Sequence, residues 1–197
     1  MTRLVIASRN KGKVTEYRRL LADLPFEVLS LADFPALPEI EEHGRSFAEN
    51  ALLKAETVSR LTGELALADD SGLEADALDG RPGLYSARYS GPGATDEQNN
   101  LKLLAELSGL PDSQRTARFR AAIAIAGPGL TPRLAEGFCS GTIAHSPRGT
   151  SGFGYDPLFF VPEAGKTFAE MDGSEKNRYS HRARAFAAAR EILRHLA

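Results

Sequence analysis

Apolar positions along this chain change rhythm several times, and each change marks an element. Leu4 to Ala7 is a short unbroken apolar run, the pattern of a buried strand. A polar turn, Ser8 to Lys13, follows. Val14, Tyr17, Leu20/Leu21 and Leu24 then recur at helical spacing. Phe26 to Leu29 reads as a second strand, and residues 32–45 as a Pro- and acid-rich loop. Ser46 to Glu49 fits a capping box. The helix it opens buries Phe47, Ala51, Ala55, Val58 and Thr62 on one face and ends at Gly63. Leu65 to Asp69 predicts a strand that terminates in Asp69-Asp70-Ser71-Gly72, and Asp79-Gly80 with Arg81-Pro82-Gly83 is turn chemistry. Thr95 to Gln98 is a second capping box, with Leu101, Leu104 and Leu107 as the apolar stripe behind it. Residues 117–126 and 133–144 predict paired antiparallel strands around Gly127-Pro128-Gly129. A Gly-rich loop, Gly149 to Asp156, precedes a strand from Leu158 to Val161. Ser180 caps a last helix with Phe186, Ala189, Leu193 and Leu196 on one face.

Helices alternate with strands in the first half and hairpins dominate the second, so the class is α/β with a mixed, twisted sheet. There is no repeat and no linker. At 197 residues, 42% hydrophobic and 25% charged, the chain has globular proportions and length for one domain. It should bury roughly 70% of its unfolded surface, with no need of disulfides or a structural metal. Its single cysteine, Cys139, alternates with strand residues and reads as packing. No apolar run approaches a membrane span or a signal-peptide core, so a soluble intracellular protein is expected. A net charge of −2 with no basic tail argues against nucleic acid as a partner.

Charge is segregated. Residues 1–13 carry Arg3, Arg9, Lys11 and Lys13 and no acid. Residues 64–79 carry Glu64, Asp69, Asp70, Glu74, Asp76 and Asp79 and no base. Residues 173–195 carry Lys176, Arg178, Arg182, Arg184, Arg190 and Arg194 against Glu175 and Glu191. If these runs converge, carboxylates can hold a cation and Lys/Arg the phosphates of a polyphosphate. If they do not, they are solvated faces of little energetic weight. Four segments sharpen the choice. A helix opening near Asn10 offers amides to an anion beside Lys11 and Lys13, although Asn10 also fits a plain cap. Asp69 and Asp70, at a strand end, suit a hard cation such as Mg²⁺, or a turn held by Asx hydrogen bonds. Phe153 and Tyr155 offer flat faces for a nucleobase among glycines that permit close approach, or belong to a hairpin loop with a buried Phe. His181 and Arg182 sit at a helix N-terminus, the unfavourable end for cations, which costs stability unless an anion or acceptor meets them. His43, His145 and His195 lack metal-ligand spacing and read as surface residues.

In order and spacing these segments resemble the inosine triphosphate pyrophosphatase family over nearly the whole chain. The resemblance is carried by Ala7 to Lys13, Phe47-Ala48-Glu49-Asn50-Ala51 with Lys54, Ala68 to Leu73, Pro82 to Arg88, Gly152 to Pro157, and Glu175-Lys176-Asn177 through Ser180-His181-Arg182. Ser8 stands where the family often has Thr, and Ser151 stands in a Gly-rich position. The resemblance implies one domain over residues 1–197, an elongated mixed sheet flanked by helices with two lobes and a central cleft. It implies Mg²⁺-dependent hydrolysis of the non-standard purine nucleotides XTP, ITP, dITP and dXTP to the nucleoside monophosphate and pyrophosphate, cleansing the nucleotide pool of a cytoplasm, by a homodimer. By position, Ser8, Arg9, Asn10, Lys11, Gly12 and Lys13 would bind the triphosphate with Lys54 nearby. Glu41 (with Glu42 as alternative) and Asp70 would bind Mg²⁺, and Asp70 would accept a proton. Ser71, Phe153, Gly154, Tyr155, Asp156, Lys176, His181 and Arg182 would line the nucleotide site, with His181 and Arg182 as donors to a 6-oxo purine. A Maf-like nucleotide pyrophosphatase and a non-hydrolysing nucleotide sensor are the competing readings. The loop at Phe153 favours the purine enzyme over the first, and the Asp69-Asp70 pair disfavours the second.

Overall fold

The computed structural model describes residues 2–196. Strand β1 (Thr2–Ile6) leads through α1 (Lys11–Leu20) to β2 (Phe26–Ser30), and α2 (Phe47–Thr62) leads to β3 (Leu65–Ala75). After α3 (Asp96–Glu106) come β4 (Thr116–Ala126), β5 (Arg133–Ile143), β6 (Phe159–Val161) and β7 (Lys166–Thr167), then the short α4 (Gly173–Lys176) and α5 (His181–Arg194). The strands form one seven-stranded sheet in the order β2-β1-β3-β4-β5-β6-β7. It is mixed, as expected: β1 is parallel to β2 and β3, and β6 is antiparallel to β5 and β7.

The caps behave as their sequence dictates. Ser46 Oγ accepts from Glu49 N–H at 3.1 Å, and α2 stops where Gly63 turns to φ 72°, a backbone region glycine enters without strain. Thr95 and Gln98 close a complete capping box on α3. Two expectations need correcting. The strand that should have ended at Asp69 runs on to Ala75, so Asp69 and Asp70 lie inside β3 rather than in a turn. On α3 the buried residues are Asn99, Asn100 and Leu103, with Leu107 just beyond the helix, while Leu101 is 60% exposed. The face follows the two asparagines because their amides have buried partners there.

The chain divides into two compact units. One holds the chain up to Asp70, Ala121–Gly137 and the chain from Arg182 on; the other holds Ser71–Arg120 and Phe138–His181. Each has its own core. Leu4, Ile6, Tyr17, Leu67, Ile123, Phe186 and Leu193 anchor the first; Leu73, Leu103, Phe119, Phe159, Phe168 and Met171 anchor the second, where Cys139 is also buried. Each such side chain contributes about 1.5–3 kcal/mol on burial. No helix among the described residues is long and apolar enough to cross a membrane.

Candidate active site

The β1–β3 ladder creates the first cluster by ending early. Ala7 N–H donates to Leu67 C=O at 2.8 Å, and the chain then leaves the sheet at Ser8 to start α1. Two residues further along β3, the Asp69 carbonyl receives two lysines in place of a strand. Lys54 Nζ donates to it at 2.9 Å, and Lys13 Nζ lies 3.4 Å from it. Lys13 is delivered by α1, whose N-terminus is capped by Asn10 (Lys13 N–H to Asn10 Oδ1, 3.0 Å) and has no acid in its first turn. That leaves helix-start amides and a positive dipole end for an anion. Ser8 Oγ accepts from Asn10 N–H at 3.2 Å, Arg9 and Lys11 are exposed, and Arg9 donates to Leu37 C=O.

Consecutive strand residues point to opposite faces, so Asp69 and Asp70 meet different partners. Asp69, 2% exposed, accepts from Arg182 Nε and Nη2 at 3.1 and 3.0 Å and pairs with Lys13 Nζ at 3.1 Å. Burial pushes its carboxyl up, but Arg182, Lys13 and Lys54 outweigh that and hold it well below the ordinary carboxylate value. Arg182, 2% exposed, also donates to Glu16 at 2.5 Å. The guanidinium at the start of α5 is thus held by two carboxylates, Asp69 and Glu16. Asp70 accepts from Asn50 Nδ2 at 2.9 Å and lies 3.5 Å from Lys54 Nζ. Here burial dominates, opposed by Lys54 and Lys13 and assisted by Glu42, and the carboxyl rises above its usual range. Burial likewise draws the Lys13 ammonium down. Lys54 feels the same burial, but Asp70 and Glu42 reverse it and raise its value.

Both loop glutamates are exposed, and Glu42 accepts from Lys54 at 2.8 Å and so shares that ammonium with Asp70. Asn50 ties the same loop to the strand, since its Oδ1 accepts from Gly44 N–H at 2.7 Å. A Cβ on Gly44 would sit 2.6 Å from that oxygen, so the loop needs glycine there. No group of three or more His, Cys, Asp or Glu is arranged for a metal among the described residues.

The second unit carries a different cluster. The Lys176 ammonium, on a residue 5% exposed, donates to Asp156 at 2.6 Å and lies 5.1 and 5.3 Å from the Phe153 and Phe168 rings. Asp156 also accepts from Phe153 N–H at 3.0 Å. Gly152, at φ 78°, is required by Asp156 itself, because a Cβ would lie 2.0 Å from its carboxylate. That glycine therefore admits the protein's own side chain, not a ligand as expected. Tyr155 departs from expectation too: it is 4% exposed and donates its hydroxyl to Ser86 C=O at 2.8 Å, whereas Phe153 is half-buried. His181, 3% exposed, stacks on Phe119 with centroids 4.6 Å apart and planes 12° apart. Ser71 is half-buried.

The basic runs at both ends of the chain thus do converge on the acidic run, at Asp69. The rest of the acidic run lies elsewhere, with Glu74 and Asp76 paired to Arg118 and Arg120 on β4 and Glu64 to Arg3. Sequence reasoning missed Glu16 and gave no role to Asn50. Asn50 was detectable as a polar residue at a core position of α2, in line with Phe47, Ala51 and Lys54. Glu16 gave no such signal.

The profile of the Ham1 family matches residues 4–192. The chain belongs to the Ham1 family. Among its relatives, a dITP/XTP pyrophosphatase of Geobacter sulfurreducens is 57% identical over 98% of this chain and 97% of its own, and one of Desulforamulus reducens is 53% identical over 98% and 96%. Solved Ham1 structures agree. The Staphylococcus aureus Ham1 protein superposes with a TM-score of 0.87 at 38% identity over the whole of both chains, and a Coxiella burnetii HAM1 protein with 0.87 at 42% over 98% of each. The resemblance read from the motifs and the mixed α/β class both stand.

Proposed function

We propose that this Ham1 protein is a nucleoside-triphosphate pyrophosphatase that hydrolyses XTP, ITP, dITP and dXTP to the monophosphate and pyrophosphate. The observation that carries the reading is the tandem in β3: an ionised Asp69 that collects Lys13 and Arg182, beside an Asp70 whose carboxyl is raised by burial. Relatives named dITP/XTP pyrophosphatase at 50–57% identity support it. The α1 N-terminus with Lys13 would take the triphosphate, and the loop bearing Phe153, with His181, the purine.

The donors around Asp70 fit a hard cation. They are oxygens, few in number, and Mg²⁺ is typically held by one or two carboxylates with waters and substrate phosphates completing its shell. Asp70 and the loop carboxylate Glu41 or Glu42 would hold it, and the Lys54 ammonium between Glu42 and Asp70 marks where positive charge is already accepted. Bound there, Mg²⁺ would offset charge on the phosphate oxygens and ease departure of pyrophosphate.

The chain's own residues do the rest. Asp70 orients the attacking water and takes its proton as the new P–O bond forms and the bond to pyrophosphate breaks. Its raised value makes it a stronger base than a surface carboxylate, and Asn50 and Lys54 fix its two oxygens. Lys13 faces the leaving phosphates. Purine choice follows from polarity: hypoxanthine and xanthine carry a 6-oxo acceptor where adenine has an amino donor, an unpaired buried donor costs about 1–3 kcal/mol, and guanine, which shares the 6-oxo group, is rejected at its 2-amino side.

The test is pyrophosphate release from ITP, XTP, GTP and ATP, with and without Mg²⁺. ITP and XTP should turn over well ahead of the other two, and only with the cation. Equal rates on all four would refute the polarity argument, and no release from ITP would refute the assignment.

A further inference from the structure

We propose that Asp96 and Asn100 of α3 are positioning residues for purine selection, because together they hold both main-chain groups of Gly154, at the centre of the loop that carries Phe153. The Asp96 carboxylate accepts from Gly154 N–H at 2.7 Å, and the Asn100 side-chain amide donates to Gly154 C=O at 2.9 Å. The two lie four residues apart, on one face of the helix. Gly154 itself sits at φ 62°, so its two peptide planes are turned in a way few other residues tolerate.

The observation that singles out Asn100 is its burial. It is 8% exposed, and on the buried side of α3 it takes a place a leucine would fill more favourably. Its Oδ1 is buried without a hydrogen-bond partner among the described residues, so the amide is held there by its nitrogen alone. Burying a polar group in this way costs stability, and packing does not explain it. Asn99 beside it serves another segment, accepting from Ser90 N–H at 2.8 Å and donating to Ala87 C=O. Asn100 therefore has one evident task, to hold the loop. From Gly154 the constraint passes directly to its neighbours. Phe153 N–H is fixed on Asp156, its ring lies over Lys176, and the Tyr155 hydroxyl is fixed on Ser86. Held at both main-chain groups of Gly154, this loop has little freedom to tilt the Phe153 ring.

The inference rests on the reading that this loop receives the purine. A fixed aromatic rim, electropositive at its edge, discriminates at the 2-position by polarity: guanine brings an amino donor there, xanthine an oxo acceptor and hypoxanthine neither. A loosened loop admits guanine as well. Asp96→Ala should therefore raise KM for ITP and lower the ITP:GTP ratio of kcat/KM by about 3- to 10-fold, the worth of one net hydrogen bond. Its kcat on ITP should stay within about twofold, since the bond positions the base and makes no contact with the reacting phosphate.

The experiment compares the full chain with Asp96→Ala, Asp96→Asn, Asn100→Ala and Thr95→Ala, measuring pyrophosphate release from ITP and GTP and hydrogen exchange at the Gly154 amide. Asp96→Asn keeps an oxygen for Gly154 N–H and should restore most of the ratio and the protection. Thr95→Ala weakens the α3 cap without touching Gly154; it should lower Tm and leave the ratio alone. Faster exchange in Asp96→Ala with KM and ratio unchanged would overturn the inference, and so would Thr95→Ala matching Asp96→Ala in the ratio. A parent protein inert on ITP would instead overturn the functional reading, which the parent arm reports separately.

Discussion

Both units bury an aspartate against a cation, and they do it in opposite styles. In the first, Asp69 shares its charge among Arg182, Lys13 and, through its carbonyl, Lys54, delivered by three helices far apart in sequence. In the second, Asp156 meets Lys176, and the surroundings are the rings of Phe153 and Phe168. The first arrangement is a mesh of charge in which each ion lowers the cost of the next. The second is a compact pair in an aromatic box. A mesh suits a site that must accept several more charges, such as phosphates and a cation. A pair boxed by rings suits a site that must keep a flat shape.

The contrast breaks most visibly if the boxed pair is split. Lys176→Met removes the ammonium from a buried carboxylate and should cost up to about 3–5 kcal/mol in urea unfolding, the range for breaking a buried pair. Lys13→Met should cost less, because Asp69 keeps Arg182. Equal losses would mean that the charge mesh gives Asp69 no protection. Next in size is turnover. Asp70→Asn should lower kcat by roughly 10²-fold or more, the range for a general base, with little change in KM. Near-parental turnover would remove Asp70 from the chemistry.

The two neighbours in β3 also predict opposite responses to pH, measured by unfolding in chelator. Asp69 has a depressed folded value. Its stabilisation is complete above the unfolded carboxylate value of about 3.9 and disappears as pH falls through the lower folded value. Asp70 has a raised folded value, so stability falls as pH climbs from the unfolded value through the folded one. At pH 7 Asp69→Asn should be less stable than the parent and Asp70→Asn at least as stable. Matching changes in the two would contradict the assigned environments.

How far the sequence revealed these arrangements depends on the kind of residue. Helix and strand positions with apolar periodicity were legible: α2 from Ser46 to Gly63 and α5 with Phe186, Ala189 and Leu193 inward. The charge segregation made a meeting of the basic and acidic runs one of two open readings, and the structure brings Lys13 and Arg182 together at Asp69. What escaped was polar burial. The Leu101 stripe failed because Asn99 and Asn100 hold the buried face through backbone partners that no periodicity encodes. The strand end at Asp69 failed because two adjacent carboxylates mimic a turn, and only the lysines on the Asp69 carbonyl explain why a strand can carry them inward. The cost of a cation at the α5 N-terminus was legible, but not that Asp69 and Glu16 meet part of it from inside the protein.

The smallest predicted effect separates the two loop glutamates, where the mesh meets the proposed cation. Both are exposed, but Glu42 is tied through Lys54 to Asp70, and its charge helps raise the Asp70 carboxyl. Losing a carboxylate that supports a bound cation typically costs about 10-fold in affinity. Glu42→Gln should therefore raise the Mg²⁺ concentration for half-maximal pyrophosphate release by about 10-fold, with Glu41→Gln near the parent. It should also free Lys54 from one of its two acids, so its effect should shrink in a Lys54→Met background, because the two groups act as one unit. The reverse order, with Glu41→Gln the more damaging, would make Glu41 the cation's ligand and leave Glu42 as the group that positions Lys54.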